Sequence, residues 1–477
     1  MNIPDKMFIN GKWVDSRSAQ RIPDVNPSTE EIITGVPRGN ADDIDSAVSA
    51  AQSAFEGPWS EITPAERGRM IYQLAEAILA ARQELAELET LDVGKPLRDS
   101  LGDINGVTET LKYNAGAADK LQGDTIPLGN QFVDFTWLEP LGVTAHIVPW
   151  NFPLGMAIRS IAPALAAGCT VVLKPAEESP LSALKMAEIA QSVGFPDGVI
   201  NVVTGFGEEA GAALTRHPGV RGITFTGSVE TGREIMRSAA KGIKPVILEL
   251  GGKNAMIVFP DADLNRALVD ALDGGFGNCG QVCSSVSRLI LHKNIKKDFL
   301  RALSKKAKDL SIGPGIENPD LGPLVSHDQY QRVTGFIESG IKGGASLVMG
   351  GKRPDQLKKG YFIQPTLFEH VKTEMSIAQQ EIFGPVIVAL EFEDEDEAIQ
   401  ISNGVSYGLV GGVYTSDISR AFRLARRLRT GSVWINGWYL GGVQAPTGGT
   451  KDSGFGRERG LAGIQNYLQI KNIGIRL

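Results

Sequence analysis

The sequence predicts an α/β protein built on parallel β-sheets, because short β-rich runs alternate with segments of helical spacing along its middle. The predicted strands are 143–148, 170–174, 199–203, 222–226 and 245–250. The predicted helices between them are 180–193, 208–217 and 229–240. After Gly252 the pattern starts again, with predicted strands at 255–258, 287–291, 386–391, 409–414 and 432–435. We therefore expect two such sheets and a domain boundary near Leu250.

Composition narrows the class of protein. A chain of 477 residues has room for two or three domains, and 42% hydrophobic with 22% charged residues is typical of a globular protein. The net charge of -7 argues against nucleic acid as the main partner. No run of about 18 apolar residues occurs, so we expect no membrane span.

The cysteines indicate the compartment. Cys169, Cys279 and Cys283 form neither a disulfide framework nor a metal-ligand spacing, which suits a reducing environment. Residues 1–6 lack the apolar segment of a signal peptide. We expect a cytoplasmic protein.

The N-terminal region predicts packing elements without chemistry. Asn10 and Gly11 form a strong turn pair and predict a hairpin over residues 8–16. Asn40 is a predicted helix cap. Thr63-Pro64-Ala65-Glu66 combines a capping box with proline at the first helical position, and predicts one long helix that ends by Gly94.

Two segments resist assignment to the sheets. Residues 134–137 alternate like an exposed strand within the insertion 122–142, and an unpaired strand usually finds a partner, which suggests an oligomer contact. The tail, residues 464–477, is too apolar to remain free.

The acidic run 393–397 predicts the solvated start of a helix.

A cysteine and a glutamate could act together. Cys283 follows a glycine-rich segment, and Glu249 lies between a short apolar run and a glycine pair. A cysteine thiolate can add to a carbonyl carbon, and a nearby carboxylate can deprotonate the water that releases the resulting thioester. The alternative is a buried turn of small residues beside a surface acid, since most cysteines only pack.

The ends of the predicted strands carry polar or glycine-rich segments, where parallel sheets bind their ligands. These segments are Pro149–Pro153, Lys174–Glu177, Gly205–Gly207, Phe225–Ser228 and Glu249. Gly205, Gly207 and Gly211 miss the dinucleotide fingerprint by one residue, which is a weak signal alone. The segment 226–232 follows a strand and opens a helix, so its N–H groups and the Ser228 hydroxyl would face a phosphate.

Lys174 and Glu177 indicate the type of nucleotide. Both could bind the adenosine ribose, where a carboxylate accepts hydrogen bonds from a free 2′-hydroxyl and repels a 2′-phosphate. This favours NAD over NADP. The alternative is a surface ion pair.

With these motifs in place, the sequence resembles the NAD(P)-dependent aldehyde dehydrogenase superfamily. The resemblance runs from Phe8 to Gly454 and departs from the family at Thr447, where an aromatic residue is common. The motifs that carry it are Pro149-Trp150-Asn151-Phe152-Pro153, Phe225-Thr226-Gly227-Ser228, Leu248-Glu249-Leu250-Gly251-Gly252-Lys253, Gly280-Gln281-Val282-Cys283 and Glu381-Ile382-Phe383-Gly384-Pro385.

The resemblance implies an aldehyde dehydrogenase-like fold. Its parts would be a Rossmann-type NAD-binding domain, an α/β catalytic domain and a small β oligomerisation arm. We expect these at 1–121 with 143–250, at 251–442, and at 122–142 with 460–477, respectively. The family usually forms dimers or tetramers, so we expect a homodimer or homotetramer.

The resemblance also assigns roles. Cys283 would be the nucleophile, Asn151 the donor to the oxyanion and Glu249 the base for water. The implied cofactor-binding residues are Trp150, Lys174, Glu177, Gly207, Gly211, Phe225, Gly227, Ser228, Thr231, Leu250, Glu381 and Phe383. Cys169 and Cys279 would pack, and a redox role is the alternative for Cys279.

The substrate pocket is less defined. The implied residues are Phe152, Gly155, Met156, Arg159, Gly277, Val282, Ser284, Trp438 and Gln444, the last two on the loop expected to close the mouth of the pocket. Gly155 and Gly277 would leave space, and Arg159 would hold a carboxylate of the substrate. We expect a semialdehyde or a bulky aromatic aldehyde, and Arg159 argues against a cationic one. The alternative is that Arg159 pairs with an acid of the protein.

The predicted function is therefore NAD-dependent oxidation of a small-molecule aldehyde to a carboxylic acid. Two alternatives remain. A CoA-acylating relative would generally lack the glutamate at Glu249, and an inert structural relative would be expected to lack Cys283, Asn151 or Glu249.

Overall fold

The structure is a computed structural model that describes residues 3–477. Up to Ala117 its elements are β1 Met7–Ile9, β2 Lys12–Val14, β3 Arg21–Asn26, β4 Glu31–Pro37, α1 Ala41–Glu56, α2 Pro64–Ala80, α3 Arg82–Val93 and α4 Leu97–Ala117. From there to Glu249 they are β5 Thr125–Ile126, β6 Phe132–Pro140, β7 Val143–Ile147, α5 Pro153–Ala167, β8 Thr170–Lys174, α6 Leu181–Ser192, β9 Ile200–Val202, α7 Ala212–Arg216, β10 Gly222–Thr226, α8 Val229–Ala240 and β11 Val246–Glu249.

The remaining elements follow Glu249. As far as Tyr414 they are β12 Ala255–Val258, α9 Leu264–Phe276, β13 Arg288–His292, α10 Lys293–Lys308, α11 His327–Lys342, β14 Ser346–Met349, β15 Thr366–Glu369, α12 Ser376–Gln379, β16 Val386–Phe392, α13 Glu395–Asn403, β17 Tyr407–Gly408 and β18 Val410–Tyr414. Beyond Tyr414 they are α14 Ile418–Arg427, β19 Ser432–Ile435, β20 Thr450–Lys451, β21 Gly454–Phe455, α15 Gly460–Gln465 and β22 Leu468–Arg476.

The first sheet has the order β2-β1-β9-β8-β7-β10-β11-β21. Its five central strands, β9 to β11, are parallel, and the predicted hairpin β1–β2 lies at one edge. The five strands predicted for this region are confirmed. Because the central strands are parallel, their carboxyl ends lie at one edge, where the polar segments follow.

The second sheet has the order β14-β15-β16-β13-β12-β18-β19. The five predicted strands are contiguous and parallel, from β16 to β19, which confirms them, and β15 extends the parallel part by one strand. The prediction missed β14 and β15. Both are four residues long, and the exposed, bulged start of β14 lacks the apolar run that marks the others.

Alternating side chains divide the core between the faces of each sheet. In β8, Val171 and Leu173 pack in one apolar cluster while Val172 packs in another. In β12, Ile257 and Met256 likewise belong to different clusters. Strands that are buried on both faces explain the continuous apolar runs in the sequence.

The helix after Thr63 corrects one prediction. The capping box is present, but the chain turns at Ala81, which divides the expected long helix into α2 and α3. The apolar spacing continues across the turn and therefore concealed it. Gly94 ends α3 in the left-handed conformation, as expected.

The exposed strand and the apolar tail pair with each other. β6, which contains residues 134–137, runs antiparallel to β22 over nine residue pairs, and β5 borders its other edge. Trp137 and Ile470 are 59% and 73% exposed on this small sheet. Across residues 3–477, no helix combines the length and apolarity needed to cross a membrane.

Candidate active site

Three chain segments meet at the carboxyl edge of the first sheet. Asn151 follows β7, Glu249 ends β11, and Cys283 lies between α9 and β13. All three line a cavity of about 410 Å³. The other predicted residues in its lining are Trp150, Met156, Gly227, Ser228, Leu250, Glu381 and Phe383. Residues far apart in the sequence thus form one site.

A tight turn precedes Cys283. Asn278 and Cys279 have φ of 48° and 54°, and Gly280 has φ of 69°. A Cβ at Gly280 would lie 2.1 Å from the carbonyl oxygen of Gly384, so only glycine fits there. We call the segment between α9 and β13, residues 277–287, the cysteine loop. The close approach at Gly280 joins this loop directly to the segment that carries Glu381 and Phe383.

Cys283 is partly buried, whereas Cys169 and Cys279 are fully buried, which agrees with their expected packing role. Burial raises the pKa of the Cys283 thiol to about 11, and the nearby Arg159 guanidinium opposes that rise. The thiol is therefore protonated at neutral pH, and its reaction needs a proton acceptor.

Asn151 is held against the cysteine loop. Its Nδ2 donates to the carbonyl of Gln281 at 2.8 Å, and Asn278 Nδ2 donates to the Asn151 carbonyl at 3.0 Å. The amide is 3% exposed. One Nδ2 hydrogen is used by Gln281, so the other remains for an oxyanion in the cavity.

Glu249 is a buried carboxyl with an open acceptor. Among the residues the structure describes, its Oε1 has no hydrogen-bond partner. Burial and, to a smaller extent, the neighbouring Glu458 carboxylate raise the pKa of Glu249 to about 8, against the opposing charge of Arg159. A carboxyl with a pKa near the working pH is suited to general base catalysis.

Arg159 has an acid partner. Its guanidinium forms an ion pair with Glu458, and both side chains are largely buried. This matches the alternative reading of Arg159 rather than a free anchor for a substrate carboxylate. The pair also removes the argument against a cationic substrate, because Glu458 balances the charge of Arg159. The sequence analysis missed Glu458, although a charged residue in a glycine- and arginine-rich segment was a usable signal.

One wall of the cavity is the start of α8. Ser228 caps this helix by accepting the N–H of Thr231 at 3.1 Å. A Cβ at Gly227 would lie 2.4 Å from the ring of Phe225, so this position requires glycine and no side chain covers the backbone there. A bare turn at a helix N-terminus is suited to an anionic phosphate.

The opposite wall contains Glu381 and Phe383. Glu381 Oε1 accepts the N–H of Gly252 at 2.9 Å, and burial raises the pKa of this carboxyl to about 7. The Phe383 ring meets Trp150 edge-on, with centroids 5.3 Å apart. Two residues that the sequence analysis missed hold this wall through backbone carbonyls, Arg332 at Glu381 and Gln329 at Phe383.

Lys174 and Glu177 lie at the end of β8. Lys174 Nζ contacts Glu177 Oε2 at 2.7 Å, and the carboxyl is partly exposed while the ammonium is buried. A Cβ at Gly211 would approach the Lys174 side chain at 3.9 Å. Gly207 and Gly211 bound a single π-helical turn before α7, where a regular helix was predicted.

The similarity of the chain to known proteins shows its family. The family model described as "Aldehyde dehydrogenase family" matches residues 13–473. The chain belongs to the aldehyde dehydrogenase family. It is 46% identical to hydroxyisobutyraldehyde dehydrogenase of Mycolicibacterium austroafricanum, covering 99% of this chain and 94% of the relative. It is 43% identical to aminoaldehyde dehydrogenase 1 of Pisum sativum, covering 98% and 95%.

A solved structure similar to this chain contains a nicotinamide cofactor. The NAD+ complex of an aldehyde dehydrogenase from Bacillus cereus superposes with a TM-score of 0.98 at 45% identity, covering 100% of this chain and 97% of that one. The NAD+ in that structure agrees with the cofactor predicted here. The cavity fits it, since a Cβ at Gly251 would lie 2.3 Å from Glu381 Oε2 and narrow the space between the two walls.

A second cavity of about 580 Å³ borders the cysteine loop of the dehydrogenase. Phe152, Gly277 and Val282, three predicted substrate residues, line it together with Tyr439. Within the described residues, a Cβ at Gly277 would meet no atom within 4 Å, which agrees with the expected space there.

The other predicted substrate residues lie outside these two linings. Trp438, which we expected on the loop that closes the mouth, has a 5% exposed side chain whose Nε1 donates to the Ser284 carbonyl at 3.0 Å. Gln444 is exposed, and Gly155 lies on α5 near Phe152. Trp438 therefore supports the cysteine loop from inside the protein.

Proposed function

We propose that this dehydrogenase oxidises an aldehyde to a carboxylic acid through a thioester on Cys283. One observation carries the proposal: the Cys283 thiol, the Asn151 amide and the open oxygen of Glu249 line the same cavity as the cofactor walls. A thiol, an oxyanion donor and a base are the groups that acyl transfer requires.

The chemistry begins with the thiol proton. Glu249 is the nearby base that would accept it, after which the thiolate adds to the carbonyl carbon and the new oxyanion receives the Asn151 hydrogen bond. NAD would supply the acceptor for the hydride that leaves the same carbon, and Ser228 and Glu381 are the residues that would hold the cofactor. Glu249 first loses the thiol proton to solvent. As a carboxylate it then takes a proton from water, which attacks the thioester and releases the acid and the Cys283 thiolate, and the proton on Glu249 restores the thiol.

The presence of Glu249 supports hydrolysis over transfer to coenzyme A. The test measures NADH and acid product for wild type, C283A and E249Q, with C279A as the matched control. We expect C283A to form no NADH and C279A to behave as wild type. Coenzyme A should leave the wild-type product unchanged. Formation of an acyl-CoA, or turnover by C283A, would refute the proposal.

The excess of acidic residues in the second cavity indicates which charge the substrate can carry. It contains Asp99, Asp103, Asp273 and Asp320 against only two cations, Lys95 and Arg98. Lys95 pairs with Asp103, and Arg98 pairs with Asp320. Since Arg159 is also paired, we propose a neutral polar or cationic aldehyde rather than a carboxylated one. The aminoaldehyde and the hydroxyisobutyraldehyde named for the two relatives agree with this choice.

A panel of aldehydes of equal length with an ammonium, a hydroxyl or a carboxylate at the far end tests this choice. We expect the carboxylated aldehyde to have the lowest kcat/KM. The variant D273N should lower the ammonium-to-hydroxyl ratio by roughly twofold to fivefold, because one attracting charge is lost. D124N, at an exposed acid outside this cavity, is the control. A leading carboxylated aldehyde that loses affinity in R159A would restore Arg159 as the anchor.

We also propose that the sheet of β5, β6 and β22 joins copies of the enzyme. β22 is an edge strand with an exposed apolar residue, Ile470, and such edges usually need cover. Light scattering after gel filtration should give a dimer or tetramer, and I470K should weaken it. A monomeric wild type would contradict the proposal.

A further inference from the structure

The backbone that follows Cys283 is held by two side chains that belong to other elements. Asn254, just before β12, donates from Nδ2 to the carbonyls of Cys283 and Ser285 at 2.8 and 2.9 Å. Trp438 donates from Nε1 to the carbonyl between them, that of Ser284, at 3.0 Å. Two side chains therefore hold three consecutive carbonyls.

The position of Asn254 is itself fixed. Its side chain is 3% exposed, and its Oδ1 accepts the N–H of Val410 at 3.1 Å. The amide thus joins the cysteine loop to β18. Aspartate at this position would keep the acceptor for Val410 but replace the two N–H donors with an oxygen that faces two carbonyls.

The indole of Trp438 sits in a slot formed by glycines. A Cβ at Gly412 would lie 2.5 Å from Cζ3 of the indole, and a Cβ at Gly274 would lie 2.9 Å from its Cδ1. Trp434 closes the slot edge-on, with ring centroids 5.1 Å apart. Because Gly412 on β18 and Gly274 on α9 carry no side chain, the indole fits between them and its N–H reaches the Ser284 carbonyl.

We propose that Asn254 and Trp438 are positioning residues that set the orientation of the Cys283 thiol. The peptide planes after Cys283 cannot rotate while their carbonyls are held. The part of the loop before Cys283 is held by the Asn151 amide, which donates to the Gln281 carbonyl. The inference rests on the proposed role of Cys283. A thiol displaced by a fraction of an ångström loses its line of attack, so the effect belongs in the chemical step.

The central test compares W438F with W434F. Both replace an indole with a phenyl ring in the same aromatic cluster, but only Trp438 donates to the cysteine loop. We expect W438F to slow the pre-steady-state NADH burst roughly threefold to tenfold, the range for one lost hydrogen bond. KM for the aldehyde and the Kd of NAD should stay within about twofold. W434F should match wild type.

Alkylation of Cys283 by iodoacetamide gives a second readout that needs no turnover. The pH profile of the alkylation rate should change in W438F and change further in N254D, which removes two donors, while W434F keeps the wild-type profile. Circular dichroism establishes that each variant is folded, and N254D tests the same loop should W438F not fold. Equal burst rates and equal alkylation profiles in W438F and W434F would overturn the inference. A failure of the proposed function is distinguishable, since it would appear as turnover by C283A.

Discussion

The release of the acid should depend on pH through Glu249. A pKa of about 8 means that the carboxylate fraction is about 0.09 at pH 7 and about 0.9 at pH 9. Only the carboxylate can deprotonate water, so thioester hydrolysis should speed up roughly tenfold over this range. An unburied glutamate, with a pKa near 4.5, would be fully ionised throughout and would give a flat profile.

The assay must separate hydrolysis from the earlier steps, because ionisation of Cys283 also increases with pH. Rapid-quench measurement of the acid reports hydrolysis, and the NADH burst reports the steps before it. In E249Q the acid should form slowly and without a rise between pH 7 and 9. A wild-type hydrolysis rate that is constant from pH 6.5 to 9 would refute the assignment of a raised pKa to the catalytic base.

The substitution E458Q should shift the pH dependence of thioester hydrolysis. Its carboxylate raises the pKa of Glu249, whereas Arg159 lowers it. E458Q removes the first effect and leaves the second, so the midpoint of the hydrolysis profile should move to lower pH. A neighbouring charge typically shifts a pKa by about 1–3 units, and a fall on the order of one unit is therefore expected. An upward shift would contradict this reading of the cluster.

Three further outcomes are expected. C283A should abolish NADH formation while calorimetry shows unchanged NAD binding; appreciable turnover would identify a different nucleophile. N151A should slow the NADH burst roughly 10²–10³-fold, as the loss of an oxyanion donor does elsewhere, and a burst at the wild-type rate would remove the amide from the oxyanion site. E177A should narrow the ratio of kcat/KM for NAD over NADP, because the carboxylate that repels a 2′-phosphate is gone; an unchanged ratio would place Glu177 outside the ribose site.

Local signals predicted the framework well. The cap at Asn40 and the capping box at Thr63 are both present, since such signals act within four residues. The parallel strands were predictable from their apolar runs, and the cavity residues from the order of their motifs. Ala81 was not predictable, because a turn between two helices with the same apolar face leaves the spacing intact.

Contacts over long sequence distances were beyond the same reasoning. Arg159 and Glu458 form an ion pair although they lie 299 positions apart in the sequence, and no local pattern selects that partner among many acids. Trp438 was predicted at the correct loop but at the wrong depth, since the glycines that admit its indole lie on β18 and α9. The acids of the second cavity come from α4, α9 and the loop before Leu321, and only the fold brings them together.

The contact between Gly280 and the Gly384 carbonyl has a practical consequence for engineering. A library that varies the substrate cavity would naturally include the cysteine loop, yet every side chain at Gly280 would push the loop away from the chain that carries Phe383. We expect a saturation library at this codon to return glycine alone, whatever aldehyde is used for selection. The neighbouring codon of Gly277 opens onto free space, so diversity in new substrate ranges should be sought there.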